Sequence, residues 1–240
     1  MKRFFYLFLF FSIYASVSLR AQIGESRSQL SIGGNAGFSF ASVDFEPTIK
    51  QGQLVCPTVG LTMRYTCEKY FSTVCALQME VNYMRLGWKE SVMNSESQPL
   101  PDNYQREIGY VQLPMMARLA WGKEQHGLMF FLLAGPQISL YLGDTSKKSA
   151  TWTLNASGNP DRPNNVYQQY GMAIERKIDY GLTGGVGMEL NTALGHFILE
   201  GRYYFGLNDI YNNSKKDVFS RSANRVMIGK VTYLFDLFNQ

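Results

Sequence analysis

The sequence contains few of the side chains on which most enzymes and metal sites depend. Its 240 residues include two histidines, His126 and His196, and three cysteines without a Cys-x-x-Cys pair. No Gly-x-Ser-x-Gly, His-Glu-x-x-His or nucleotide-binding loop is present. Both histidines fall in short predicted turns, so we expect neither to act as a catalytic base. The sequence therefore predicts no catalytic residue, metal or cofactor; a mechanism using Asp and Glu alone is the remaining alternative, and no motif supports it.

Charged residues are also scarce, at 18% of the chain, and the formal net charge is only +4. The N-terminal segment discussed below carries three of the positive charges, so the rest of the chain carries about +1. Such a chain lacks the basic field that attracts nucleic acid, so we expect no nucleic-acid partner. No small-molecule substrate is expected either. The mean hydropathy of −0.16 is too polar for a bundle of membrane helices. A transmembrane β-barrel remains compatible, because its strands alternate apolar and polar residues.

The three cysteines, Cys56, Cys67 and Cys75, are an odd number with no histidine nearby. A zinc site is therefore not expected. The favoured interpretation is that all three are unpaired small residues. A disulfide between Cys67 and Cys75, which flank a short predicted turn, is the alternative.

Only one long hydrophobic run occurs, at residues 4–11, directly after Lys2 and Arg3. This layout predicts a secretory signal peptide over residues 1–21, cleaved after Ala21, followed by a single domain over residues 22–240. A transmembrane anchor is the alternative. It is disfavoured because the apolar run gives way to serine and Arg20 before the roughly 20 residues that a spanning helix needs.

The rest of the chain shows eight windows in which apolar and polar residues alternate, the pattern of half-buried β-strands. One parity of these windows contains no charged residue, while the other parity carries seven. The windows are residues 30–40, 59–65, 77–83, 111–119, 130–140, 182–190, 197–205 and 227–235. The charged residues are Arg64, Glu80, Arg118, Glu189, Glu200, Arg202 and Lys230. The predicted fold is all-β, an eight-stranded antiparallel up-and-down barrel.

Alternation alone fits a water-soluble barrel with its charges outside as well as a transmembrane barrel with its charges inside. Three observations favour the transmembrane barrel: the export signal, the Gly and Ala residues mixed into the charged parity, and connections that alternate in length. The connections over residues 41–58, 84–110, 141–181 and 206–226 are long, whereas those over 66–75, 120–129 and 191–196 are short. Long outer loops and short periplasmic turns are typical of bacterial outer-membrane barrels, with both termini in the periplasm.

An eight-stranded barrel has an interior just wide enough for side chains. We therefore expect the three acidic and four basic residues to pair inside the barrel and to close its lumen. Pro114 and Pro136, which lack a backbone donor, are expected at β-bulges. A girdle of aromatic residues at the membrane interfaces is predicted from their positions near strand ends. Its members are Tyr65, Tyr83, Trp88, Tyr110, Trp121, Tyr141, Tyr180, Tyr203 and Tyr233.

Five strings spread along the chain carry a family resemblance. They are GYVQLPMMARL (109–119), LAGPQISLYL (133–142), DYGLTGGVGMEL (179–190), EGRYYFGLNDIY (200–211) and VTYLF (231–235). These strings resemble the PorT-like outer-membrane β-barrel proteins of Bacteroidota. The resemblance implies a transmembrane barrel in outer-membrane lipid that is needed for type IX secretion of proteases and adhesins and that contacts other secretion-system proteins. A structural or surface-adhesion barrel without a secretion role is the alternative.

The longest connection, residues 141–181, mixes aromatic and basic residues as contact surfaces often do. Trp152, Tyr167 and Tyr170 are its candidate partner-binding residues. The alternative is a disordered polar loop, which the string NASGNPDRPNN (155–165) favours.

Overall fold

The computed structural model describes residues 25–124 and 126–239. The predicted signal peptide lies outside the described residues, so it stays a prediction. The described chain forms nine β-strands and two short 3-10 turns, Pro163–Asn165 and Gln168–Tyr170. The strands are β1 (Glu25–Glu46), β2 (Gln51–Gly52), β3 (Leu54–Tyr70), β4 (Thr73–Glu90), β5 (Tyr104–Gly122), β6 (Gly127–Lys148), β7 (Ile178–Thr192), β8 (Gly195–Asp209) and β9 (Arg221–Asn239). Within this part of the chain, no helix is long and apolar enough to cross a bilayer.

Eight of the nine strands form a closed antiparallel ring. Each long strand pairs with the next along the chain, and β1 also pairs with β9 over nearly its whole length. The additional pairing of β4 with β5 completes the ring, while β2 is a two-residue addition to the end of β4. The predicted eight-stranded antiparallel barrel is confirmed.

The connections fall at two ends of the barrel. Turns at residues 71–72 and 193–194 and the short connection between β5 and β6 lie at one end, which we call the short-turn end. β1 starts and β9 stops at this same end, because their register pairs Gln29 with Asn239. Segments 47–53, 91–103, 149–177 and 210–220 lie at the opposite, long-loop end. The alternation of short and long connections that the sequence predicts is therefore present.

Toward the short-turn end, the barrel has an apolar outer surface, and its interior combines buried charged and polar residues with an apolar cluster that includes Met116, Phe131 and Leu133. On β8, Leu199 is 53% exposed on the outside, whereas Glu200 is 3% exposed and points inward. The outward positions of β8 carry no charge from Phe197 to Leu207, eleven residues. This length is close to the roughly 9–11 residues with which a tilted strand crosses a bilayer.

Toward the long-loop end, the two faces exchange their composition. On β1, the inward side chains of Ala41, Val43 and Phe45 are buried and apolar, while the outward positions include Asp44 and Glu46. The strands therefore continue beyond the apolar outer band as a crown with a hydrophobic core. The strands are longer than the windows of alternation found in the sequence. Each window ends where the outward positions, which are apolar up to that point, become polar.

The structure contradicts the predicted aromatic girdle at two positions. Trp88 and Tyr110 are fully buried inside the crown and not on the outer surface. The Trp88 ring lies 5.0 Å from the Phe45 ring in an edge-to-face arrangement, a favourable geometry for aromatic pairs. These two residues therefore stabilise the crown core.

Two other expectations about strand geometry are wrong. Pro114 and Pro136 are not at bulges, because the pairing of β5 with β6 keeps one register across both prolines. The register shift between β5 and β6 lies at Gly109 and Tyr110 instead.

All three cysteines are free thiols, so the favoured interpretation of unpaired cysteines agrees with the structure.

Candidate functional site

The middle of the lumen holds a set of four charged side chains, which we call the central network: Glu80, Glu200, Arg202 and Lys230. Arg202 donates to Glu80 at 2.6 Å and to Glu200 at 2.8 Å. Lys230 contacts Glu80 at 2.5 Å and Glu200 at 3.1 Å. Two carboxylates thus face two cations, and all four residues are buried. The central network is charge-balanced.

Some bonds of the central network cross the lumen. Glu80 lies on β4 and Arg202 on β8, which are opposite each other in the ring of eight long strands. Glu80 also accepts hydrogen bonds from Gln78 and Asn82, both at 2.8 Å. Asn35 on β1 extends the polar contacts by donating to Asn82 at 2.9 Å. The interior is therefore bridged from wall to wall.

Closer to the short-turn end lies a second set, the lower network, formed by Arg64, Arg118, Glu189 and His196. Arg64 donates to Glu189 at 2.7 Å, and Arg118 donates to the same carboxylate oxygen. Arg64 and Glu189 also lie on opposite strands, β3 and β7. The structure therefore places all seven sequence-predicted charged residues inside the barrel, each with an opposite charge.

The sequence predicts His196 in an exposed short turn, and this prediction is wrong. The structure buries it in the lower network, with Nδ1 2.8 Å from a Glu189 oxygen and Nε2 3.0 Å from an Asp236 oxygen. The sequence contains a signal for this inward position, because residue 196 has the same parity along β8 as the inward Glu200 and Arg202. The predicted strand window began at residue 197, one position too late.

Below the lower network, a cavity of about 670 Å³ lies at the short-turn end; we call it the vestibule. Its deep wall includes Arg64, Arg118 and Glu189, and its outer wall includes Glu124 and Asp236. Among the described residues, no group of three or more His, Cys, Asp and Glu is arranged to hold a metal ion.

At the long-loop end, segment 149–177 packs against the crown through an aromatic and charged cluster. The Trp152 and Tyr170 rings stack with centroids 4.5 Å apart, and the Arg162 guanidinium lies 4.9 Å from the Trp152 ring. Arg162 is buried and forms an ion pair with Asp102 at 3.0 Å. Such cation–π and ion-pair contacts stabilise packed loops. These contacts join the segment to the crown.

Tyr170 joins this cluster to the end of β4. Its hydroxyl donates to Glu90 at 2.8 Å and accepts from Arg162 at 2.6 Å. Burial raises the pKa of Tyr170, and the Glu90 carboxylate raises it further, so the hydroxyl stays a neutral donor. Of the three candidate partner-binding residues, Trp152 and Tyr170 are thus used to hold the loop, and Tyr167 is half-buried nearby.

The closed ring, the apolar outer band and the polar lumen agree with a family match. The family model of the outer membrane protein beta-barrel domain matches residues 20–212, more than half of the chain. The chain belongs to this family. No curated protein shows a significant match.

Solved structures similar to this outer-membrane barrel share little sequence with it. The attachment invasion locus protein Ail of Yersinia pestis is 13% identical over 88% of this chain and 99% of its own, with a TM-score of 0.38. Neisserial surface protein A is 12% identical over 86% of this chain and 97% of its own, with a TM-score of 0.41. OprG from Pseudomonas aeruginosa is 11% identical over 89% and 96%, with a TM-score of 0.38.

Membership of this family places the barrel in the bacterial outer membrane, with lipid around its apolar band. Several lipid-facing side chains are at least half exposed on the barrel surface; examples are Leu61, Val81, Leu132 and Val231. Charged side chains at such positions cost roughly 2–4 kcal/mol for each Arg or Lys near the bilayer midplane. The inward placement of Arg202 and Lys230 avoids this cost.

Glycines in the inner wall make room for the central network, and this leads to a prediction. A Cβ on Gly37 would lie 2.2 Å from the Gly229 carbonyl oxygen and 2.6 Å from the Cα of Lys230. Gly37→Ala is therefore expected to lower the free energy of unfolding by about 1–3 kcal/mol. Gly201, which faces open space on the outer wall, is the control, and Gly201→Ala should change stability by at most about 0.5 kcal/mol. Urea unfolding in lipid vesicles measures both, and equal effects would contradict this account of the inner wall.

Proposed function

We propose that this outer-membrane barrel is a component of type IX protein secretion that acts through protein contacts at its two ends. The observation that carries the proposal is the bridged lumen. Because Glu80–Arg202 and Arg64–Glu189 join opposite walls, cargo has no path through the barrel. A role in export must then use surfaces outside the lumen.

The choice of secretion over other roles rests on the resemblance to PorT-like proteins. Four of the five quoted strings lie within β5, β6, β7 and β9, and the fifth starts in the β8 segment that carries Glu200 and Arg202 and ends two residues beyond β8. They therefore include both the lipid-facing wall and the lumen. The resemblance supports other secretion-system proteins as partners.

Deleting the gene and measuring where secreted proteases accumulate tests the proposal. We expect the deletion strain to retain these proteases inside the cell and an intact gene copy to restore their export. Normal protease export in the deletion strain would contradict the proposed function.

A surface-adhesion role is the second candidate, and the crown favours it. The crown and segment 149–177, which packs on it, form a surface beyond the apolar band that could serve as a binding face. The same deletion strain separates the two candidates, because loss of adhesion with normal protease export would favour adhesion.

We also propose that the short-turn end and both termini lie in the periplasm, as is usual for such barrels. In a variant with Cys56, Cys67 and Cys75 replaced by serine, Ser157→Cys in the long-loop end should react with a membrane-impermeant maleimide on intact cells. Ser72→Cys, an equally small change in an exposed short turn, should react only after the cells are broken. Labelling of Ser72→Cys on intact cells would reverse the orientation.

A role without catalysis is part of the same proposal. Both ring nitrogens of His196 face carboxylate oxygens of Glu189 and Asp236. The residue is therefore engaged in the lower network and is not positioned as a free base. We therefore attribute the expected loss of export in the deletion strain to lost protein–protein contacts and not to a lost enzymatic activity.

A further inference from the structure

A groove of about 420 Å³ lies on the outer wall of the barrel, across β4, β5 and β6, where the apolar band meets the crown. Tyr83 and Leu142 line it on the side of the band, and both are exposed. Arg85, two residues after Tyr83, is the first charged outward residue of β4. Gly109 and Gly143 are directly opposite each other on β5 and β6, and a Cβ on Gly143 would meet no atom within 4 Å. The groove thus joins the lipid-covered band to a charged surface.

On the side of the crown, the groove carries more exposed positive than negative charge. The side chains of Arg85 and Lys147 are 53% and 74% exposed, and they contact Glu107 at 3.2 Å and 3.7 Å. Lys89 is a third exposed cation on the same outer face, because Gln105 on β5 pairs with Lys89 on one side and with Lys147 on the other. Three exposed cations therefore lie around one carboxylate.

Asp144, the other acidic residue that lines the groove, is neutralised from the inner side. It contacts the buried Arg106 at 2.7 Å and accepts a hydrogen bond from Tyr141 at 2.5 Å. Arg106 is fixed in the crown by donating to the Met172 carbonyl at 2.6 Å and to the Tyr211 hydroxyl at 2.9 Å. The pair of Asp144 and Arg106 adds no net charge, so the outer face keeps two more cations than anions.

We infer that this groove binds the phosphate headgroup of an outer-leaflet lipid. The groove is continuous with the band that lipid covers, so a lipid lying against Tyr83 and Leu142 places its headgroup beside Arg85. Phosphate oxygens accept charge-assisted hydrogen bonds from guanidinium and ammonium groups, and basic surfaces beside a membrane attract anionic headgroups. Because ion pairs between exposed groups are weak, Arg85 and Lys147 can exchange contacts with Glu107 for contacts with the phosphate. The leaflet follows from the orientation proposed above, and the inference does not require a secretion role.

Native mass spectrometry of the purified barrel in detergent tests the ligand class. The probes are monophosphoryl lipid A, the same glycolipid without its phosphate, inorganic phosphate and a hexa-aspartate peptide. We expect the phosphorylated lipid to bind at least tenfold more tightly than the lipid without phosphate. Equal binding of the two lipids would overturn phosphate recognition. Displacement of the lipid by an equimolar amount of inorganic phosphate or of the acidic peptide would overturn a lipid as the occupant.

Charge variants then locate the binding through effects of opposite sign. The double change Arg85→Gln and Lys147→Gln should weaken binding of the phosphorylated lipid at least tenfold, whereas Glu107→Gln should strengthen it by removing a competing carboxylate. Arg221→Gln is the control, because it changes a 44% exposed arginine that also pairs with one carboxylate, Asp44, but lies on β9 outside the groove. It should bind as wild type. Weaker binding by Glu107→Gln, or an equal loss in Arg221→Gln, would overturn the site.

Gly143→Trp tests the groove itself, since it leaves every charge in place. The new side chain starts in open space and should occupy the groove between β5 and β6. We expect it to bind the phosphorylated lipid at least tenfold more weakly while its thermal unfolding midpoint stays that of the wild type. Wild-type lipid binding by this variant would overturn the groove as the binding site.

Discussion

Replacing Glu80 by alanine is expected to lower the free energy of unfolding by about 3–5 kcal/mol, the cost of breaking a buried ion pair. Glu80 contacts Arg202 at 2.6 Å and Lys230 at 2.5 Å. Without it, Glu200 alone faces two cations, and one buried positive charge is uncompensated. Urea unfolding of the protein in lipid vesicles measures the loss.

Two further variants make this prediction specific. Adding Lys230→Met to Glu80→Ala removes the surplus cation and should recover part of the loss, giving a coupling of about 0.5–3 kcal/mol. Asp44 is the matched control, because it also contacts two arginines but its side chain is 43% exposed. Asp44→Ala should cost no more than about 1 kcal/mol. Strictly additive effects of the double change would show that the two residues do not interact as described.

Replacing Arg162 by alanine is expected to release segment 149–177 from the crown. The side chain pairs with Asp102 at 3.0 Å and lies against the rings of Trp152 and Tyr170. Removing it leaves Asp102 buried without its cation, at a local cost of about 3–5 kcal/mol. Hydrogen exchange measured by mass spectrometry should then increase strongly in segment 149–177.

The barrel strands provide the internal reference for this experiment, since exchange in β4 and β8 should stay slow. Lys147→Ala is the control variant, because the Lys147 side chain is 74% exposed and makes only a weak ion pair with Glu107 at 3.7 Å. Unchanged hydrogen exchange in segment 149–177 of the Arg162→Ala variant would mean that the contacts of Arg162 do not hold this segment on the crown.

The sequence predicts the barrel well where one face is apolar throughout. The alternation around Glu80 and Glu200 identifies the strands, and the cost of a charge on the lipid-facing surface places both carboxylates inside once the barrel is recognised as transmembrane. The crown is missed because Val43 and Phe45 are apolar on the inward parity, the reverse of the pattern nearer the short-turn end. In the sequence pattern, each predicted strand therefore ends where its outward positions change from apolar to polar, although the strand itself continues into the crown.

The pairings inside the lumen could be predicted only in part. Glu200 and Lys230 are directly opposite on neighbouring strands β8 and β9, so parity and strand order are enough to bring them together. The contact of Glu80 with Arg202 crosses between opposite walls, 122 residues apart in sequence. Such a contact depends on barrel closure and register, which alternation does not specify.

The central claim is that the networks close the lumen, and planar-bilayer recording of the wild-type barrel tests it most directly. Side chains from opposite walls meet at Glu80 and Arg202 and again at Arg64 and Glu189. We therefore predict that bilayers with verified incorporation of the protein show no steady ion conductance. Large, steady conductance steps from the wild-type protein would contradict the closed lumen and indicate a water-filled pore.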